Sequence, residues 1–316
     1  MTGTGVGGVG AADHPRRNRR RRRRRTVLAL GAGAVALAVI AIGTVVLAPR
    51  TSGAGAAATD PASATGHALS VAAAGDTSLT PEQVARLPEA RYDAVIPGLS
   101  AYASDEVPPQ SHEVYTISTD TPIYDDARRP VARFAFRNFA GRPTVIVPVR
   151  VDGPWTLVMT PARQNLPSAA GGSAPAQTAG WVPSKALHPT TVLDRRVVIS
   201  TGRQTLSIED FSGTVVASFS VAVGAPGTPT PTGVTGYLQE RYLDPRQGQS
   251  THPIQLTSLH SSTRDEPYQG EDGGLIGIHY FATSTGNVSH GCIRLPEQAI
   301  VAVDALPLGT SVTIMP

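Results

Sequence analysis

Residues 26–48, TVLALGAGAVALAVIAIGTVVLA, hold no charged side chain and follow directly on an arginine run, RRNRRRRRRR, at residues 16–25. At about 1.5 Å per residue, a helix of that length is about 35 Å long and crosses a hydrocarbon core of about 30 Å. A basic flank on one side sets the orientation: residues 1–25 form a cytoplasmic arm, and residues 50–316 lie outside. A nucleic-acid-binding arm or a buried core helix would each leave the adjacency of the two runs unexplained. The run exceeds the apolar core of about 7–15 residues in a cleaved signal peptide, and Pro49 follows Ala48. An uncleaved single-pass anchor in the cell membrane is therefore expected. Small residues at 54–58 and the pair Arg24-Arg25 are what a cleaved or twin-arginine signal would use instead.

The arm also distorts the charge. The chain is formally +3, from 27 basic and 24 acidic residues. Nine arginines lie at 16–25 and Asp13 is the only acid before Thr26, so the remainder sets 18 basic against 23 acidic side chains. A net acidic exterior is not a nucleic-acid surface, and no such partner is expected.

Residues 49–78, PRTSGAGAAATDPASATGHALSVAAAGDTS, offer too little apolar surface to offset ordering entropy, which predicts a flexible tether. Thr80-Pro81-Glu82-Gln83 opens a helix, with Pro81 first and Gln83 third. Pro88 and Pro97 keep it short, so residues 79–111 read as a short helical or irregular connector. The 32 glycines and 27 prolines, with 5% aromatic residues, then favour short strands and turns over a helical bundle.

Within residues 112–190, EVYTIS, VARFAF, TVIVPVRV, WTLVMT and AGWVPSKAL read as strands between Gly/Pro clusters. The run TPIYDD … TVIVPVRVDGPWTLVMT … AGWVPSKAL, with Trp155 and Trp181, resembles the bacterial SH3-like domain that accompanies cell-wall enzymes. That resemblance implies a small β-barrel, serving as a spacer or as a wall- or peptide-binding module. LPSAAGGSAPAQTAG departs from the compact form and is expected as a surface loop. In residues 194–316, RVVIS, QTLSIED, VVASFSVAV, YLQERY, GLIGIHYF and TSVTIM read as strands, with one helix over 296–306. Residues 241–274, carrying His260 and Tyr268, are expected as a loop lidding the site.

Cys292 is the only cysteine, which excludes an intrachain disulfide and any Cys-cluster metal site. His290 stands two residues upstream and His279 thirteen. A cysteine nucleophile needs a base, because at a free pKa of about 8.5 little thiolate exists at neutral pH. It also needs N–H donors for an oxyanion, and Gly291 suits a tight turn whose successive amides point one way. The competing readings are an inert buried thiol and a zinc site. No further Cys or His stands at ligand spacing, although His252 and His260 lie upstream. An unpaired thiol is a liability in an exported chain unless it is used. No metal or cofactor is expected.

His279 … Ser289-His290-Gly291-Cys292-Ile293-Arg294 resembles the signature of the L,D-transpeptidase (YkuD-type) catalytic domain, and VGAPGTPTPTGV resembles that family's G-x-P-x-x-x-T-P-x-G segment. The resemblance covers about residues 194–316 and implies a mostly β fold, a YkuD-like β-sandwich with few helices. It implies Cys292 as nucleophile, His279 as base, and Tyr280 orienting His279 through its carbonyl. The backbone amides of Gly291 and Cys292, with His290, would hold the oxyanion. Ser289, Arg294, His260 and Tyr268 are the expected substrate contacts. The implied substrates are peptidoglycan stem peptides, donor and acceptor, joined by a 3→3 crosslink with release of D-Ala. Carbapenem-type β-lactams are the implied covalent inhibitors. Water as acceptor would make the protein an L,D-carboxypeptidase, and a degenerate site would leave an inactive wall-binding scaffold. Two features depart from the pattern: nine residues separate His279 from Ser289, fewer than usual, and Tyr280 stands where Gly or Ser is common.

Overall fold

Thr80 caps α1 (Pro81–Ala85) reciprocally: its hydroxyl accepts the Gln83 N–H at 3.3 Å, and Gln83 Oε1 accepts the Thr80 N–H at 2.8 Å. The computed structural model describes residues 79–106, 113–266 and 274–316. The arginine arm, the 26–48 span and the 49–78 tether lie outside the described residues, as does Tyr268. Among the described residues, no helix is long and apolar enough to cross a membrane.

The connector after α1 is packed rather than loose. Ile96 and Leu99 enter the core of the upstream sheet, and the Ile96 N–H donates to the Arg163 carbonyl at 2.8 Å. Tyr102, buried beside Tyr237, donates its hydroxyl to the Thr235 carbonyl. These contacts tie the connector to both the upstream and the downstream strands, and all described residues fall in one compact unit.

The upstream half holds β1 (Glu113–Thr116), β2 (Thr121–Tyr124), β3 (Pro130–Phe134), β4 (Pro148–Asp152), β5 (Trp155–Thr160), β6 (Thr178–Pro183) and β7 (His188–Val192). Five strands pair in the order β3-β2-β6-β5-β4, and β1 pairs with β7 apart from them. Trp155 and Trp181 sit on adjacent strands; the Trp181 indole donates to Asp126 at 2.9 Å under the Arg128 guanidinium. The stretch expected as a surface loop is only partly one. Residues 168–173 are exposed, but Ala174 and residues 176–180 are buried. The reason is pairing: Gln177 receives the Thr235 N–H at 2.5 Å, and the Ala174 N–H donates to the Ser262 carbonyl at 2.9 Å.

The downstream half holds β8 (Arg196–Ser200), β9 (Thr205–Glu209), β10 (Val215–Ser220), β11 (Ala222–Gly224), β12 (Val234–Asp244), β13 (Gln249–His260), β14 (Leu275–Tyr280), β15 (Gly286–Ser289), β16 (Ile293–Leu295), α2 (Glu297–Asp304) and β17 (Ser311–Met315). Their ladder runs β10-β9-β8-β17-β12-β13-β14-β16-β11-β15. The start of β12 pairs with β17 and its remainder with β13, so this one strand joins the two leaves. Val197, Ile199 and Leu206 from one leaf share a core with Ile276, Ile278 and Ile293 from the other. That common core makes a β-sandwich. Helix α2 adds Ala299, Ile300 and Val303, one helical face.

Two expectations change here. Residues 215–223 form two strands, because the Val221 N–H turns to the Gln204 carbonyl at 2.9 Å; β10 stays with β9 while β11 joins β15 and β16. Residues 241–260 are not a lid loop but the end of β12 and the whole of β13, joined by a single turn at Pro245–Gln247.

Candidate active site

The inward residues of β14, Ile276 and Ile278, alternate with Leu275, Gly277 and His279, which face away from the core. Strand β16 runs parallel to β14 in a register that sets His279 beside Arg294. The sulfur of Cys292 lies on the same outer face: the Gly277 N–H donates to it at 3.4 Å, and it stands 3.9 Å from the Leu275 carbonyl. A Cβ at Gly277 would sit 3.8 Å from that sulfur. The thiol is thus held over the strand that presents His279 one side-chain repeat further on. An N–H aimed at sulfur stabilises negative charge there.

His279 Nδ1 donates to the Tyr280 carbonyl at 3.0 Å, which leaves Nε2 with its lone pair. Burial pushes its pKa below the ordinary imidazole value; the Tyr280 carbonyl opposes that shift, and the Arg294 charge adds to it. The ring is therefore a neutral base at neutral pH. Gln249 Nε2 also donates to the Tyr280 carbonyl, at 2.9 Å. Behind it the His252 ring packs on Tyr280 with centroids 5.1 Å apart, and its Nε2 is 3.7 Å from Glu297.

The thiol loop is held from inside. Ser289 Oγ donates to the Cys292 carbonyl at 2.6 Å and accepts the Gly291 N–H at 3.1 Å. Thr230 Oγ1 donates to the Gly291 carbonyl at 2.7 Å and accepts the Gly224 N–H at 2.9 Å. The Ser289 carbonyl accepts from Ala225 N at 2.8 Å and from the Thr228 hydroxyl at 3.1 Å. Residues 224–230 thus form a buckle under the loop. Gly291 has φ of 116°, and a Cβ there would meet Ile276 at 3.1 Å, so only glycine fits.

Beside the His279 ring opens a cleft of about 660 Å³ lined by His279, Phe281, Arg294, Gln249, Asp244 and Arg246, with Tyr92 and Phe139 contributed by the upstream half. Arg294 stacks over Phe281 at 4.3 Å, and no carboxylate pairs with it among the described residues. Phe281 in turn meets the His279 ring edge-on, with centroids 6.2 Å apart.

Several expected roles change. Ser289 is 1% exposed and its hydroxyl is engaged within the loop, so it clasps the thiol turn rather than meeting substrate. The Gly291 N–H, expected at the oxyanion, is occupied by Ser289. His260 is 1% exposed; its Nε2 donates to the Tyr92 carbonyl at 2.8 Å, and burial lowers its pKa to about 3. It anchors the connector and does not line the cleft. His290 is exposed. Among the described residues, no group of acidic, histidine or cysteine side chains is arranged to hold a metal ion. Gln249, Thr228, Thr230, Tyr92 and Phe139 were not singled out from the sequence. Only the threonines had a signal, the G-x-P-x-x-x-T-P-x-G segment that contains them.

The β-sandwich sets one thiol and one neutral imidazole on the same strand face, an arrangement suited to acyl transfer. Residues 194–314 match the family model of the YkuD L,D-transpeptidase catalytic domain. No curated protein matches the chain. Among solved structures, an L,D-transpeptidase from Mycobacterium smegmatis aligns at 14% identity, over 51% of this chain and 91% of that one, with a TM-score of 0.30. L,D-transpeptidase 1 of Mycobacterium tuberculosis aligns at 17% identity over 44% and 78%, TM-score 0.30. L,D-transpeptidase 3 of the same organism, in complex with a faropenem-derived adduct, aligns at 14% over 51% and 91%, TM-score 0.30.

Proposed function

We propose that the protein is a peptidoglycan L,D-transpeptidase that forms 3→3 crosslinks through a Cys292 thioester. The observation that carries this reading is the shared strand face: Cys292 Sγ receives the Gly277 N–H, while His279, two residues along, has its Nδ1 tied to Tyr280. His279 Nε2 takes the thiol proton as sulfur attacks the carbonyl joining the third stem residue to D-Ala. The S–C bond forms, the C–N bond breaks, and D-Ala leaves with the proton from His279. The side-chain amine of a second stem then attacks the thioester; a C–N bond forms, sulfur departs, and the amine proton returns through His279. The Cys292 amide supplies an oxyanion donor, and Arg294 binds a stem carboxylate.

In the same reading, residues 26–48 anchor the protein in the membrane and residues 49–78 give the outward-facing domain its reach. Residues 112–190 are an SH3-like module, a reading supported by five short paired strands with Trp155 and Trp181 on adjacent ones. Product masses from purified tetrapeptide stems test the reaction. A crosslinked dimer with equimolar D-Ala, absent with Cys292→Ala, is expected. Tripeptide alone would make the protein a carboxypeptidase, and unchanged stems a scaffold.

A further inference from the structure

Gln249 begins β13, directly after Gly248 closes the preceding turn with φ of 73°. Its side chain is 4% exposed and lines the cleft. A carbonyl oxygen only accepts, so the amide face turned to Tyr280 O at 2.9 Å is the Nε2 side. The same nitrogen is 3.5 Å from His279 Nδ1. The Tyr280 carbonyl therefore receives two donors, the His279 ring and Gln249. The far end of the amide, Oε1, is buried without a hydrogen-bond partner among the described residues. An unsatisfied buried acceptor costs stability, and an apolar side chain of similar volume would not carry that cost. A polar atom retained in that state, on a side chain that lines the cleft and reaches a base, suits a ligand that brings an N–H.

On the acyl-transfer reading, we infer that Gln249 is a positioning residue: Nε2 holds the Tyr280 carbonyl and with it the His279 ring, while Oε1 accepts a backbone N–H of the stem peptide. Substrate occupancy and alignment of the base are thereby coupled through one side chain. The charged and titratable groups around this pair are Arg294 on β16, Tyr242 and Asp244 on β12, Arg246 in the following turn, and His252 with Glu297 behind Tyr280.

The test uses the full chain, a tetrapeptide stem and a carbapenem, with Gln249→Leu and Gln249→Glu. Removing the competing donor leaves the Tyr280 carbonyl wholly to the imidazolium, so in Gln249→Leu His279 titrates at higher pH. The acid limb of Cys292 acylation follows it. Gln249→Glu, which places a carboxylate there, moves both further the same way. Loss of the Oε1 contact raises KM for the tetrapeptide, and misalignment lowers kcat by about tenfold or more. If Gln249→Leu fails to fold, Gln249→Asn, one methylene too short, is expected to show the same shifts. A folded variant whose limb, His279 titration and KM all match wild type would overturn the inference. So would activity lost only in proportion to the unfolded fraction. A wild-type chain that neither turns over stems nor reacts with carbapenem would overturn the acyl-transfer reading instead. His279 titration by NMR would then still decide whether Gln249 holds the ring.

Discussion

His279 is oriented by the carbonyl of its own neighbour, Tyr280, at 3.0 Å, and not by a carboxylate. A neutral partner steers the ring without adding negative charge, so the Tyr280 carbonyl opposes only in part the burial and the Arg294 cation that keep the imidazole unprotonated. Burial dominates the protonation state and the Tyr280 carbonyl the orientation, a separation of the two roles.

That separation gives a pH prediction. With its pKa depressed, His279 stays a competent base below the ordinary imidazole value of about 6.5. The acid limb of the acylation rate should lie below that value. Arg294→Gln removes a cation that disfavours the imidazolium, so the limb should move to higher pH. The check is the rate of carbapenem acylation from pH 4 to 8 by stopped-flow.

Ser289→Ala leaves the Gly291 N–H and the Cys292 carbonyl without their shared hydroxyl. The expected loss is about 1–3 kcal/mol of stability, read as a lower Tm. The acylation rate should fall as well, because the turn carrying the nucleophile loosens. Thr230→Val, which unlocks the buckle from the Gly291 carbonyl, should act in the same direction.

His260 predicts acid sensitivity of the fold. Its folded pKa of about 3 is below the unfolded value, so between these the unfolded chain binds the extra proton. Stability is then full above about pH 6.5 and falls as pH drops toward 3, by on the order of 5 kcal/mol across the window at roughly 1.4 kcal/mol per unit. His260→Gln keeps an N–H donor and does not titrate, so its stability curve should be flatter. Urea unfolding at a series of pH values measures both slopes.

Local signals were readable and long-range ones were not. The Thr80 capping box, the face of α2 that carries Ile300 and Val303, and the alternation in β8, β9 and β17 are properties of a few consecutive residues. So is the thiol turn, where Ser289 to Cys292 are contiguous and Gly291 alone tolerates the backbone angle. Residue order did not show which way the Ser289 hydroxyl points. Gln249, Tyr92 and Phe139 reach the cleft by strand register and packing between the two halves, which no local pattern encodes. His260 reads as a loop histidine from its polar neighbours, yet β12 and β14 flank its strand and the connector covers its ring.

The central claim is that Cys292 is an acylated nucleophile served by His279. Intact-protein and peptide mass spectra after exposure to a carbapenem test it most directly. The account predicts one added mass equal to the whole inhibitor, confined to the peptide containing Cys292. The adduct should be absent with Cys292→Ala and at least about a hundredfold slower to form with His279→Ala. An adduct on any other residue, or undiminished labelling of Cys292→Ala, would contradict it.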